Sequence, residues 1–366
     1  TAVVKDGCLY GRGTDDDKGP LAAVILAMRC VKDLGLPLRY NARLIMGTNE
    51  ESGSLDLPYY YAREKAAPHT FTPDSSFPVY NTEKGEYKPT FTMDWEKEDA
   101  LPRVASLEGG FRVNVIPGDA EALVLGMDAA SASETVIDAG KRLGVAVSVT
   151  TVPGGVSIGV HGKQGHAAYP WSANNSLTAL LDLLSALPLA DCASTRAVKS
   201  LHALLPHGDW RGQALGIAQQ DDLSGELTVA FTLLSITETG IEGRFDSRVP
   251  LCANGENCQS IVEQRFSENG FAVSGTMGAA HHTPAEGEFV RTLLRCYESY
   301  TGKEGKCLST GGSSYVHGVE GGVGFGVCMP GFRTNLHGAN ERMNIKDTLC
   351  AAKIFALAIA ELCGAE

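Results

Sequence analysis

The stretch YGRGTDDDKGP, Tyr10 to Pro20, sets Asp15, Asp16 and Asp17 side by side directly before an apolar run. Adjacent carboxylates repel, and two arrangements make such crowding favourable. One is a solvated helix start, where carboxylates meet the partial positive charge of the N-terminus and cap free N–H groups. The other is a divalent cation, which converts the repulsion into attraction if further oxygen or imidazole ligands arrive from elsewhere. Such groups exist: Glu50 and Glu51 are adjacent in TNEES, Asp74 closes HTFTPD, and His337 lies in RTNLHGANE. An Asp/Glu/His set without cysteine suits a hydrolytic site with two zinc ions roughly 3.5–4 Å apart, sharing a carboxylate and a water. Of the adjacent glutamates, one can ligate metal while the other takes a proton from water. A plain acidic pair at a helix start before SGSLDL is the alternative for Glu50 and Glu51.

For these groups to meet, the elements around them must end at one sheet edge. In open α/β sheets, ligands bind beyond the carboxyl ends of the strands. PLAAVILAMRCVKDLG after the aspartates carries Leu21, Val24, Ile25 and Met28 at helical spacing and Gly35 as a stop, so a helix is expected over Lys18–Leu34. YNARLIMG (Tyr40–Gly47) and HTFTPD read as strands, the first delivering Glu50 and Glu51 and the second Asp74. This helix and strand alternation predicts an α/β domain whose mixed, mainly parallel sheet has flanking helices. From about Thr82 longer β-rich runs take over, interrupted by helical patterns at Ala132–Leu143, Ser176–Leu187 and Gln259–Asn269. The final segment returns to α/β, with a helix over Gly287–Tyr300, the Gly-rich STGGSSYVHG, the strand GVGFGVCM and a closing helix. We therefore expect a discontinuous α/β domain over 1–82 and 279–366, with an α+β domain over 83–278 inserted in it.

Composition excludes other classes. The 366 residues are 43% apolar, which supports a folded protein with more than one core. No run approaches the roughly 18 apolar residues of a membrane span, and TAVVKDG carries no secretory signal pattern, so the expected location is the cytoplasm. The ten cysteines are neither in CxxC pairs nor clustered with histidine and read as reduced thiols. A net charge of −12 without a Lys/Arg cluster argues against nucleic acid and acidic membrane surfaces.

Five ordered motifs, LYGRGTDDDKGP, MGTNEESGS, FTPDSSFPVYNTEKG, GVHGKQGHAAYP and NLHGANERM, resemble the M20-type metallopeptidase family of aminoacylases, carboxypeptidase G-type enzymes and carnosinases. Over nearly the whole chain they are similar to its bacterial dipeptidase branch. The resemblance implies a zinc-peptidase-like catalytic domain with an inserted lid and two zinc ions, for which manganese or cobalt could stand. It implies that Asp16 bridges both ions, with an unusual cis peptide after it. Glu51 and His337 would serve one ion, Asp74 the other, and Glu50 would be the general base. In the lid, His166 resembles the histidine that stabilises the oxyanion. Asn114 of FRVNVIP would hydrogen-bond the intermediate, and Arg248 of DSRVP would clamp the substrate carboxylate, its alternative being an ion pair with Asp246. Ser314 of GGSSYV would help hold the same carboxylate, while His317 stands where an arginine is expected.

The function so implied is hydrolysis of dipeptides bearing a free C-terminal carboxylate by a metal-activated water, in a monomer whose partner is a small peptide. Two alternatives stay open: a family amidohydrolase of N-acyl amino acids, and a catalytically dead binding protein. The second arises because the family's His-x-Asp motif is expected upstream of Gly-Arg-Gly, and the ten residues before Gly11 contain no histidine. We read the chain as starting within the stretch that follows that motif. His69, five residues before Asp74, is expected to be structural.

Overall fold

A computed structural model describes residues 2–364. The chain divides into two compact units, one built from the chain up to Glu83 together with the chain from His281 onward, the other from Lys84–Ala280.

The first unit is a layered α/β structure. Ala23, Val24, Ala27 and Val31 recur every three or four residues along the helix Lys18–Asp33 and are buried. That stripe packs on the closing helix Ile345–Cys363, which buries Ala351, Ile354, Phe355 and Ala358, and Glu288–Thr301 packs against the same closing helix. The sheet beneath runs in the order His281–His282, Val79–Glu83, Gly322–Gly324, Thr70–Thr72, with Cys307–Thr310 also on Val79–Glu83. It is mixed: Cys307–Thr310 runs parallel to Val79–Glu83 and Gly322–Gly324 parallel to Thr70–Thr72, while His281–His282 and Gly322–Gly324 are antiparallel to Val79–Glu83. Phe77 meets Phe325 edge-on at 5.0 Å between ring centroids, a pair that centres the core.

A smaller three-stranded sheet of Val3–Lys5, Cys8–Tyr10 and Arg342–Asn344 does the positioning. Asp6 and Gly7 both have positive φ (50° and 72°), the requirement of a tight two-residue hairpin turn that a DG pair meets. The second hairpin strand pairs with the late strand, Cys8 opposite Asn344 and Tyr10 opposite Arg342. This register sets the loop after Tyr10 beside the loop before Arg342.

One expected element is absent. Tyr40–Gly47 is in no strand. Ala42 and Leu44 do pack against the core, so the alternation in the sequence is real. Period-two alternation reports which side chains face inward, and a strand also needs a neighbour's N–H and C=O groups.

The second unit is a nine-stranded sheet with every pairing antiparallel, in the order Ala146–Val152, Gly155–His161, Asp119–Leu125, Arg103–Gly109, Thr228–Thr237, Gly240–Val249, Thr90–Asp94, Ala272–Ser274, with Gly85–Tyr87 also on Gly240–Val249. Ala120, Ala122 and Val124 point inward in strict alternation along Asp119–Leu125. They share a core with Leu177, Leu180, Leu181 and Leu184 of the helix Ser176–Ala186, whose first N–H groups are capped by the Asn175 side chain. The helix Ala193–Leu204 was not expected. Its Ala197, Val198, Leu201 and Leu204 have helical spacing, but it begins in DCAST without a side-chain cap, a start that reads as loop. Among the described residues no helix is long and apolar enough to cross a membrane.

Candidate metal centre

The pairing of Tyr10 with Arg342 brings two loops of the first unit together. His337 Nε2 lies 2.7 Å from Asp16 Oδ2 and 2.9 Å from Glu51 Oε1. One ligand atom from each of Asp16, Glu51 and His337 falls within 4.8 Å of the other two. The Asp16–Asp17 peptide is cis. The His337 loop turns through three left-handed residues, Asn335, His337 and Asn340 (φ 56°, 57° and 58°), a conformation that asparagine tolerates and histidine seldom adopts.

The surrounding carboxylates titrate abnormally. Burial pushes Asp74 up to about 8, and the charges of Asp16, Glu50, Asp17 and Asp15 add to the shift. Glu50 is pushed up to about 7 by burial, then by Glu51, Asp16 and Asp17, with His337 acting the other way. Asp16 is likewise raised by burial and by Glu51. Asp74 thus lies within electrostatic reach of the Asp16, Glu51 and His337 group without belonging to it. Crowded, partly desolvated carboxylates facing one imidazole are poor company for each other and good company for a divalent cation. The donor set of oxygen and imidazole fits zinc, manganese or cobalt. His69 stacks on Phe289 with ring centroids 4.9 Å apart, a packing role.

Three residues that hold these loops escaped the sequence reading. Glu341 is buried, and its carboxylate accepts hydrogen bonds from the N–H groups of Gly13, Asp15 and Asp16 and from Arg12. Asp56 Oδ2 accepts from the N–H groups of Thr48 and Asn49 and from the Tyr315 hydroxyl, fixing the turn that leads to Glu50. The only sequence signal for Glu341 is an acid inside the NLHGANERM motif with no ligand role assigned to it.

Elsewhere in this unit the Ser314 hydroxyl donates to buried Glu83 at 2.5 Å, and His317 Nδ1 lies 3.0 Å from the same carboxylate. In the second unit, His166 sits opposite Val115 in a short ladder, and the Ala167 N–H donates to the Asn114 carbonyl, so the expected pair His166 and Asn114 are neighbours. Arg248 is buried and already engaged: Nε and Nη2 donate to Asp246 at 2.7 and 2.9 Å, and Nη1 donates to Glu86.

The sequence profile of peptidase family M20/M25/M40 matches residues 1–361. The chain belongs to this family. Within it, the chain is 31% identical over 367 residues to "Putative dipeptidase YtjP" of Bacillus subtilis (strain 168), covering 99% of this chain and 78% of that one. It is 29% identical over 366 residues to the Beta-Ala-Xaa dipeptidase of Lactobacillus delbrueckii subsp. lactis, covering 98% and 76%. The fold is shared with human carnosine dipeptidase 1, at a TM-score of 0.53 and 18% identity, covering 99% of this chain and 76% of that one. As in other M20 folds, a mixed α/β unit and an antiparallel α+β unit are combined here, the second interrupting the first in sequence.

Proposed function

We propose that this M20 chain is a metal-dependent dipeptidase acting on dipeptides with a free C-terminal carboxylate. The carrying observation is the convergence of Asp16, Glu51 and His337 with Glu50, whose carboxyl is pushed up to about 7, immediately beside Glu51. Dipeptidase names among relatives spanning 98% or more of the chain support the substrate class.

Asp16, Glu51 and His337 would hold a first cation and Asp74 would serve a second, with zinc as the proposed metal. The chemistry such a cation would supply when bound is a water of lowered pKa and a polarised peptide carbonyl. Glu50 does the proton work. A base that titrates near neutrality can take a proton from the attacking water and later return it to the departing amine. One water is consumed, the C–N bond breaks, and two amino acids leave. His166 and Asn114 are assigned to stabilising the oxyanion, Arg248 and Ser314 to the substrate carboxylate; His166 is supported by its place in the ordered motif GVHGKQGHAAYP, the others by the resemblance of FRVNVIP, DSRVP and GGSSYV to family segments. We further propose that the protein works as a cytoplasmic monomer, which light scattering of the zinc-loaded chain tests.

The deciding experiment is an assay of the zinc-loaded chain on dipeptides and on their N-acetyl forms. Cleavage of free dipeptides with little cleavage of the acetylated ones is expected. Preference for N-acyl amino acids would move the chain to the amidohydrolases of the family. Tight zinc binding without hydrolysis of either would indicate a binding protein.

A further inference from the structure

Among the groups that the proposed chemistry leaves unused, Glu341 has the most demanding surroundings. Its side chain is 1% exposed. Oε1 accepts the N–H groups of Asp15 (2.9 Å) and Asp16 (3.2 Å), and Oε2 accepts the Gly13 N–H (3.0 Å) and Arg12 Nη1 (2.7 Å). Its own carbonyl accepts the Gly11 N–H at 3.0 Å. Each carboxylate oxygen therefore faces two donors. An amide in its place would turn an NH2 group towards the Gly13 N–H and the Arg12 guanidinium, and an aspartate would fall one methylene short.

The connectivity gives this arrangement its meaning. Glu341 lies in the same loop as His337, and its carboxylate is bonded to the backbone of Asp16, whose side chain meets His337 at 2.7 Å. One buried carboxylate thus fastens the two ligand-bearing loops to each other from below, while their side chains converge above. Backbone N–H groups need an acceptor when buried, so losing the carboxylate leaves three of them to be satisfied by movement of the loop.

We propose that Glu341 is a positioning residue that sets the separation of Asp16 and His337 and thereby the affinity of the centre for a divalent cation. This rests on the metal-binding part of the functional reading and not on the choice of substrate. Groups that orient metal ligands from outside the coordination sphere typically cost roughly 10–100-fold in metal affinity when replaced.

The test is zinc affinity by competition with a chromophoric chelator, together with the melting temperature of the metal-free chain, for the wild type, Glu341→Gln, Glu341→Asp and Arg12→Ala. Glu341→Gln is expected to lose roughly 10–100-fold in zinc affinity at a temperature where it is folded. Arg12→Ala removes an exposed guanidinium with its bonds to Glu341 Oε2 and to the Gly338 carbonyl and leaves the three backbone bonds to Glu341, so a loss of no more than about threefold is expected, since exposed pairs contribute little. A purely structural glutamate would lower the metal-free melting temperature and leave zinc affinity unchanged, and that result overturns the proposal. So does an equal loss in Arg12→Ala. If Glu341→Gln does not fold, Glu341→Asp decides, since unchanged zinc affinity there is equally contrary. A wild type that binds zinc and cleaves no dipeptide would remove the substrate assignment and leave this one standing.

Discussion

The Tyr315 hydroxyl donates to Asp56 Oδ2 at 2.8 Å and accepts the Asn49 N–H at 3.0 Å, so one phenol pins the turn that carries Glu50 and Glu51. Gly47 completes the clasp, because a Cβ there would sit 2.1 Å from that hydroxyl. Tyr315→Phe is expected to cost about 1 kcal/mol of stability. A roughly tenfold fall in kcat should accompany it, by misplacing the base. Urea unfolding and steady-state kinetics check both, and a variant with full kcat would show that the turn holds itself.

Glu50→Gln separates base from ligand. Turnover should fall by roughly 10²–10⁴-fold, the usual contribution of a positioned base. Zinc content by elemental analysis should stay at the wild-type value. Loss of zinc along with activity would mean that Glu50 is a ligand.

The metal-free protein should become less stable as pH rises. Asp74 and Glu50 keep their protons in the folded chain up to about 8 and about 7, whereas in the unfolded chain they lose them near about 4. Between those limits the folded state binds more protons, so the stability they confer is complete below about pH 4 and is lost as pH climbs towards 8. The melting temperature in chelator should therefore fall from pH 5 to pH 8. Zinc loading, which replaces those protons, should flatten the trend. A metal-free melting temperature that rises over this range would contradict the placement of these carboxylates.

Arg248 has two candidate duties, and they make different predictions. Asp246→Ala removes two of its bonds to a buried carboxylate while Glu86 keeps a third, so the cost should stay below the roughly 3–5 kcal/mol of a buried charge left without a partner. If Arg248 also grips the substrate carboxylate, Arg248→Lys should raise KM for dipeptides and leave the rate on dipeptide amides, which lack that charge, nearly unchanged. Equal losses on both substrates would reduce Arg248 to its structural pair.

What the sequence displays and what it hides follow from how each signal is carried. Helices Lys18–Asp33, Glu288–Thr301 and Ile345–Cys363 were legible because apolar residues recur with a 3.6-residue period, although in the first the buried stripe is Ala23, Val24, Ala27 and Val31 while Ile25 is exposed. The acids and the histidine were legible as residue types in ordered motifs. Their convergence depends on the register of Tyr10 with Arg342, which periodicity does not encode. Glu341, Asp56 and Tyr315 were missed because they act on backbone N–H groups, which every residue possesses and no spacing betrays. Tyr40–Gly47 misled because its alternation records burial alone.

The chain leaves the first unit after Glu83 and re-enters at His281, and these two residues are paired in one antiparallel ladder. On a ribosome this imposes an order of events. Lys84–Ala280 is one uninterrupted segment and can close its own core as soon as it has emerged. The helix Lys18–Asp33 must wait, its apolar stripe uncovered, until Ile345–Cys363 has been synthesised. The unit that carries Asp16 and His337 is thus begun before the inserted segment and completed after it, and its apolar stripe stays uncovered through that interval.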